Sequence, residues 1–426
     1  MSGYTVNVIG SQIAIHSDGT RKNRNRSLLA ALVTVSLIFM GIVAPRPLQA
    51  EPLKYRIADL QVKTLAAAPG RYFGRCALER LADGTWFLVY HESGHHWAYE
   101  PAKPKPILSG VLHARFSSDG GRTWSKEDHC LDGTRVTGFP GYPPGAEPNN
   151  GDFEPGEPWT YLAPNGDLVV HSLKYNFNKR QWDGTWQTRS GDGGRTWSKF
   201  EKIDFKGIGN DADIWVVCDH FIHNGVIYMG GRAVPQNTGE DFNKGYRNLL
   251  VRSDDNGHTW QFVSYMADRP GVTDEGGIEY LGNDTILCVL NSVDKKHTYQ
   301  THSRDLGQTW EPLRDIAPQA KIWDRPRIFT AAYLRGEPNW WEDRLILGAS
   351  DQRTRPGHSM PRRNCLWLSP DAGETWELFN LDDQTEDSGY GDMLYDPDSK
   401  RYVAILYHGT RTEAALKQYS FRLVQE

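Results

Sequence analysis

One eight-residue pattern, Ser-x-Asp-x-Gly-x-Thr-Trp, occurs five times in this 426-residue chain, and it limits the possible folds more than any other feature. The copies begin at Ser117, Ser190, Ser253, Ser303 and Ser369, and end at Trp124, Trp197, Trp260, Trp310 and Trp376. The residue types suit a tight turn between two strands. The Asp carboxylate can accept backbone N–H bonds, the glycine can take a positive φ, and Thr and Trp open the next strand. Each Trp then offers a large apolar ring to the neighbouring sheet. Because the turn recurs along the whole chain, its aspartates read as structural groups rather than catalytic ones.

A second repeat interleaves with the first. Turn signals followed by apolar strands stand at Gly84 (Trp86–Tyr90), Gly166 (Leu168–Ser172) and Gly225 (Val226–Met229). They recur at Asp284 (Ile286–Leu290), Asp343 (Leu345–Leu347) and Asp398 (Tyr402–Leu406). Successive turns lie 82, 59, 59, 59 and 55 residues apart. A period near 60 matches one four-stranded propeller blade. The sequence therefore predicts an all-β chain, a six-bladed β-propeller with five Asp-containing turns. The long first interval predicts inserted loop within Ser93–Ser109 and Asp132–Asp152.

The ends and the composition bound the rest. Arg21–Arg26 is basic, Ser27–Ala44 almost wholly apolar, and Pro45–Ala50 closes on a small residue. Residues 1–50 read as a signal peptide, with a retained anchor as the alternative, and 51–426 as a single domain. Cleavage implies an exported protein, periplasmic or extracellular, with no membrane partner. The net charge of −5 provides no basic footprint for nucleic acid. Cys76, Cys130, Cys218, Cys288 and Cys365 are scattered without metal spacing, so neither a metal nor a cofactor is expected. Oligomeric state has no signature here.

Repeated Asp turns on a six-bladed propeller resemble the sialidase (neuraminidase) superfamily, in which they are called Asp-boxes or BNR repeats. The resemblance covers essentially all of 51–426. It implies a glycan-binding central pocket, and membership alone does not specify the reaction.

Register offers an independent way to find that pocket. The first strand of each blade starts at one rim of the channel and the second ends there, so residues equidistant from each turn should converge. Before the six turns stand Arg75, Glu157, Asp213, Glu275, Arg327 and Tyr390. After them stand His91 with Glu92, Lys174, Arg232, Asn291, Asp351 with Arg353, and His408. Polar residues at nearly every slot, between apolar strands, read as a ligand-holding mouth.

Several of these positions match the superfamily's motifs. Asp387-Ser-Gly-Tyr390-Gly-Asp392 resembles the segment of its Tyr nucleophile, and Thr273-Asp-Glu275-Gly-Gly277 that of the paired Glu. Gly74-Arg75-Cys-Ala77 resembles the first of three carboxylate-clamping arginines, without the usual Ile-Pro. Asp324-Arg325-Pro-Arg327 could supply the third. Where the second is expected the chain has Asn291, with Arg232 as a substitute from a neighbouring blade. The acid/base Asp is missing from Ser93–Phe116, which instead carries His95 and His96; either could serve as the acid, with Glu92 as orienter.

The resemblance thus implies a glycoside hydrolase acting on an acidic or otherwise polar glycan, with Tyr390 and Glu275 as its working pair. Glu157 with Glu275 is an alternative two-carboxylate pair. Two other classes stay open. A polysaccharide lyase on a uronic-acid polymer would use Arg75, Arg327, His95 and Tyr390, and a non-catalytic glycan-binding propeller would use the same pocket.

Overall fold

The computed structural model describes residues 8–9, 12–13, 55–94, 96, 111–125, 129–131, 153–176, 181–208, 212–215, 219–235, 245–320, 327–330, 346–353 and 361–425. The chain divides into two compact units, Met1–Ala50 and Glu51–Glu426. In the first, Val8–Ile9 pairs with Gln12–Ile13; the basic and apolar runs lie outside the described residues. No described helix is long and apolar enough to cross a membrane.

Among its described residues the second unit is all-β apart from one helical turn, Ala317–Ala320. Its first sheet holds Tyr72–Arg80, Trp86–Ser93, Val111–Ser117 and His129–Cys130. The second holds Phe153–Leu162, Leu168–Asn176, Gln181–Ser190 and Glu201–Lys202. In the third, Ala212–Trp215 and His220–His223 both pair with Val226–Pro235, followed by Arg247–Ser253 and Trp260–Tyr265. The fourth holds Thr273–Gly282, Thr285–Ser292, Thr298–Ser303 and Arg314–Asp315. The fifth holds Arg327–Thr330, Ile346–Arg353, Arg362–Ser369 and Glu377–Asn380. A last set, Asp387–Asp396, Arg401–Gly409 and Ala414–Gln425, takes its outer strand from the start of the unit, Tyr55–Ala66. It meets the first sheet through one parallel pair, Ala414 with Tyr72. The two regions expected to carry the inserted loop, together with the turn at Asp343, fall largely outside the described residues.

The repeated turns are hydrogen-bonded alike in all five copies. Around Asp255, Ser253 Oγ donates to Oδ1 at 2.7 Å, Thr259 N to the same oxygen at 2.9 Å, and Thr259 Oγ1 to Oδ2 at 2.6 Å. The corresponding bonds of Asp119, Asp192, Asp305 and Asp371 lie between 2.6 and 2.9 Å. Each turn joins the third strand of a sheet to its fourth. The last set needs none, because its fourth strand arrives from the other end of the unit. That is why six strand sets carry five turns.

Every turn Trp reaches the preceding strand set. Trp197 packs on Phe87, and Trp260 on Tyr161 and His171. Trp310 Nε1 donates to Ser264 and Trp376 Nε1 to Gln300, at 2.8 and 2.9 Å. Trp124 Nε1 donates to Gln418 of the last set at 2.8 Å, so the first sheet is tied back to the end of the chain. Second strands such as Phe87–Val89, Ile286–Leu290 and Ala404–Leu406 are fully buried. They are covered on both faces, which explains apolar runs in place of the alternation of a half-exposed strand.

Candidate active site

Four of the first strands bear a local irregularity at the same place. Pairing shifts between Gly74 and Cys76, Gly156 and Trp159, Thr273 and Gly276, and Gly389 and Asp392. The residues in those gaps include Arg75, Glu157, Glu275 and Tyr390. A bulge inserts one residue and re-aims a side chain that strict alternation would send to the other face. Arg75, Glu157 and Tyr390 have positive φ of 48°, 48° and 34°, a conformation that costs a non-glycine residue of order 1–3 kcal/mol. Gly74-Arg75, Gly156-Glu157 and Gly389-Tyr390 are thus one local device used three times. The shared glycine was the sequence signal for it.

The bulges bring these side chains together. Tyr390 Oη donates to Glu275 Oε2 at 2.9 Å, and both residues are buried. Glu275 is held from two further sides: its backbone N–H donates to Asn291 Oδ1 at 2.8 Å, and Arg232 Nη1 stands 3.8 Å from Oε1. Arg75 Nη1 pairs with Glu157 Oε1 at 2.8 Å, and the guanidinium lies over the Tyr390 ring, 5.4 Å from its centre. Tyr390 stacks on Tyr407 with centroids 6.0 Å apart. Arg75, Cys76, Glu157, Pro158, Trp159, Tyr390 and Gly391 line one small pocket.

The remaining candidates sort by what they touch. Asn291 supports the Glu275 backbone and is fully buried, so it acts from behind the pocket. Arg232 pairs closely with Asp274 and lies between the Trp215 and Tyr246 rings. Burial, reinforced by Arg75, pushes His91 down to about 3, so it is a neutral packing group rather than part of an open rim. Glu92, expected to orient a loop histidine, is instead bound to Arg71 Nε at 2.8 Å and His113 Nε2 at 2.6 Å. The reason is strand alternation, which sends adjacent His91 and Glu92 to opposite faces. His408 turns away to Asp382, 3.6 Å from its Oδ2. Backbone pairing places Lys174 opposite Pro155, Asp213 opposite Val234, and Arg327 opposite Ala349. Asp351 and Arg353 lie on the strand beside Arg327. His95 and Arg325 fall outside the described residues.

The structure adds residues that sequence reasoning missed. Asp387 accepts from His96 Nδ1 at 2.5 Å and from Tyr407 Oη at 3.3 Å, and Arg362 Nη1 lies 3.6 Å away. Burial would raise the Asp387 carboxyl, but His96 and the arginines outweigh it and hold it below the usual range. Asp387 stands in the nucleophile-like segment and was legible to that extent. Nothing in the sequence separates Arg362 from Arg363.

Glycine is required beside the nucleophile candidate for a steric reason. A Cβ on Gly391 would sit 1.8 Å from the Ile405 carbonyl oxygen. Gly391→Ala is therefore expected to force the two strands apart, lowering stability by about 3 kcal/mol in a urea titration. A variant as stable as the parent would mean the strands are not this close.

These sheets, their five Asp turns and the site at the bulged strand starts define the fold of the sialidase superfamily. The chain belongs to the BNR repeat-like domain family, whose sequence model matches residues 151–403. A protein of unknown function from Dyadobacter fermentans superposes with a TM-score of 0.63 at 14% identity, covering 87% of this chain and 99% of its own. The NanB sialidase from Streptococcus pneumoniae gives 0.60 at 11%, covering 87% and 70%. The intramolecular trans-sialidase from Ruminococcus gnavus gives 0.58 at 13%, covering 84% and 96%. At such identities the likeness is one of fold. No curated protein matches the sequence significantly.

Proposed function

We propose that this chain is an exported glycoside hydrolase, a six-bladed β-propeller that cleaves a polar glycan with Tyr390 as nucleophile and Glu275 as its base. The observation that carries the reading is the buried Tyr390–Glu275 hydrogen bond at the mouth formed by the bulged strands. A phenol is a weak nucleophile until a neighbouring base takes its proton, and Glu275 is already held in position to do so. The Arg75 guanidinium beside the ring favours negative charge there or on a substrate group. Two sialidases among the structural neighbours lend the same direction by analogy. The six successive strand sets and the Trp124–Gln418 tie support closure as a propeller. The basic and apolar runs before Glu51 support export.

The test is a screen of the purified 51–426 protein against aryl glycosides, sialosides included, and acidic polysaccharides. Release of reducing ends or aryl alcohol is expected. Products carrying a new carbon–carbon double bond would replace this reading with the lyase. Binding without turnover on every substrate would replace it with the non-catalytic glycan binder.

A further inference from the structure

We propose that Asp387, His96 and Arg75 form a fixed hydrogen-bonded relay, in which His96 is a positioning residue for Arg75 and not the proton donor of the site. The proposal goes beyond the assignment of Tyr390 and Glu275 and stands on the surroundings of one imidazole. His96 Nδ1 lies 2.5 Å from Asp387 Oδ2, and Nε2 lies 3.3 Å from Arg75 Nη2. An arginine nitrogen can only donate. Nε2 must therefore be the bare, accepting nitrogen, which places the ring proton on Nδ1, directed at the carboxylate. Both ends of a neutral imidazole are then used, and an imidazolium would present an N–H to a guanidinium.

The surroundings hold this arrangement on every side. Asp387 and Tyr390 face the ring from the last strand set, Tyr407 from the adjoining strand, and Tyr72 and Arg75 from the first sheet. Arg362 approaches Asp387 from the fifth sheet at 3.6 Å. Tyr72 Oη donates to Asp387 Oδ2 at 3.4 Å and stands 2.9 Å from Nδ1. The His96 backbone N–H donates to the Arg411 carbonyl at 2.7 Å, so the chain as well as the ring is anchored. His96 is 2% exposed, and burial pushes it down to about 4, in keeping with the neutral form.

What the relay positions is the guanidinium. Arg75 is gripped by Glu157 on Nη1 and by His96 on Nη2, which leaves its plane over Tyr390. A carboxylate–imidazole pair that fixes the ligand beyond it is a common way to orient a functional group.

The test needs no substrate to begin. Histidine-labelled 51–426 protein is followed by NMR, with the His96 signal assigned by its loss in His96→Gln. The expected result is a proton on Nδ1, a bare Nε2, and no titration between about pH 8 and 5. Asp387→Asn should redistribute the proton between the two nitrogens. A proton on Nε2, or a midpoint near the ordinary histidine value, overturns the proposal. With a substrate from the glycoside screen, His96→Gln and His96→Asn should each lower kcat/KM about 100-fold, equally for good and poor leaving groups, with the limbs of the pH profile unmoved. A defect that vanishes with a good leaving group identifies a proton donor and sinks the relay. If no glycoside is cleaved, the hydrolase reading fails while the tautomer measurement still decides this one.

Discussion

Tyr390→Phe should lower kcat by at least about 10³-fold, because it removes the only atom of that side chain able to form a bond to the sugar. The fold should survive. One hydrogen bond is lost, worth about 1 kcal/mol, so the melting temperature should move by only about 2 °C in a chain of this size. Glu275→Gln should act through the same step. An unaided phenol, with a pKa near 10, is only about 0.1% ionised at neutral pH, and the amide cannot take the proton. Parallel losses in the two variants, and little further loss in the double variant, are the expected signature of groups acting as a unit. If Tyr390→Phe kept full turnover, the working pair would be Glu157 with Glu275, both of which approach the same bulged strand starts. A Glu157 variant would then be the inactive one.

The second large effect is acid lability. Three buried histidines and the half-buried His220 are held down chiefly by desolvation: His91 and His171 at about 3, His96 and His220 at about 4. The unfolded chain binds their protons near 6.5, and the folded chain does not until the pH is much lower. Stability is therefore full above about pH 6.5 and falls as the pH drops through the window to about 4. Every ring that stays neutral in the folded chain adds to this loss, so the decline belongs to the group and not to any one of them. Carboxylates held low, such as Asp387 and Glu92, act in the same direction but at lower pH. Thermal melts at several pH values between 7 and 4.5 should show a steep decline and a net uptake of several protons on unfolding. A flat profile down to pH 5 would mean that the rings are solvated or already protonated.

The two effects arise from one property of the site. Its charged and titratable groups are buried in partnered sets: Arg75 with Glu157, Arg232 with Asp274, and Asp387 with His96 and Arg362. Removing one member of such a set leaves a buried charge without compensation, typically a loss of about 3–5 kcal/mol. Variants of Arg75 and Glu157 therefore need a stability measurement beside every rate. Tyr390→Phe is cleaner because it takes away no charge.

Features that depend on neighbours along the chain are legible in the order of residues. Each Asp turn is closed by atoms within eight residues, so Ser, Asp, Gly, Thr and Trp in that order are enough to specify it. The apolar second strands and the period near 60 followed from the same local rules, and they placed Tyr390, Glu275, Arg75 and Glu157 at comparable offsets from their turns. Which of these residues work together depends on how the strand sets pack. Tyr390 and Glu275 are 115 positions apart, and His96, just past the end of Trp86–Ser93, meets Asp387 of the last strand set. Glu92 looked as promising as Glu157, yet an unbroken strand turns it to Arg71 and His113, while a bulge turns Glu157 to Arg75. Arg362 and Tyr72 carried no signal at all. A one-residue slip in strand pairing reverses the direction of a side chain, and that slip is set by packing between sheets rather than by the order of residues within one.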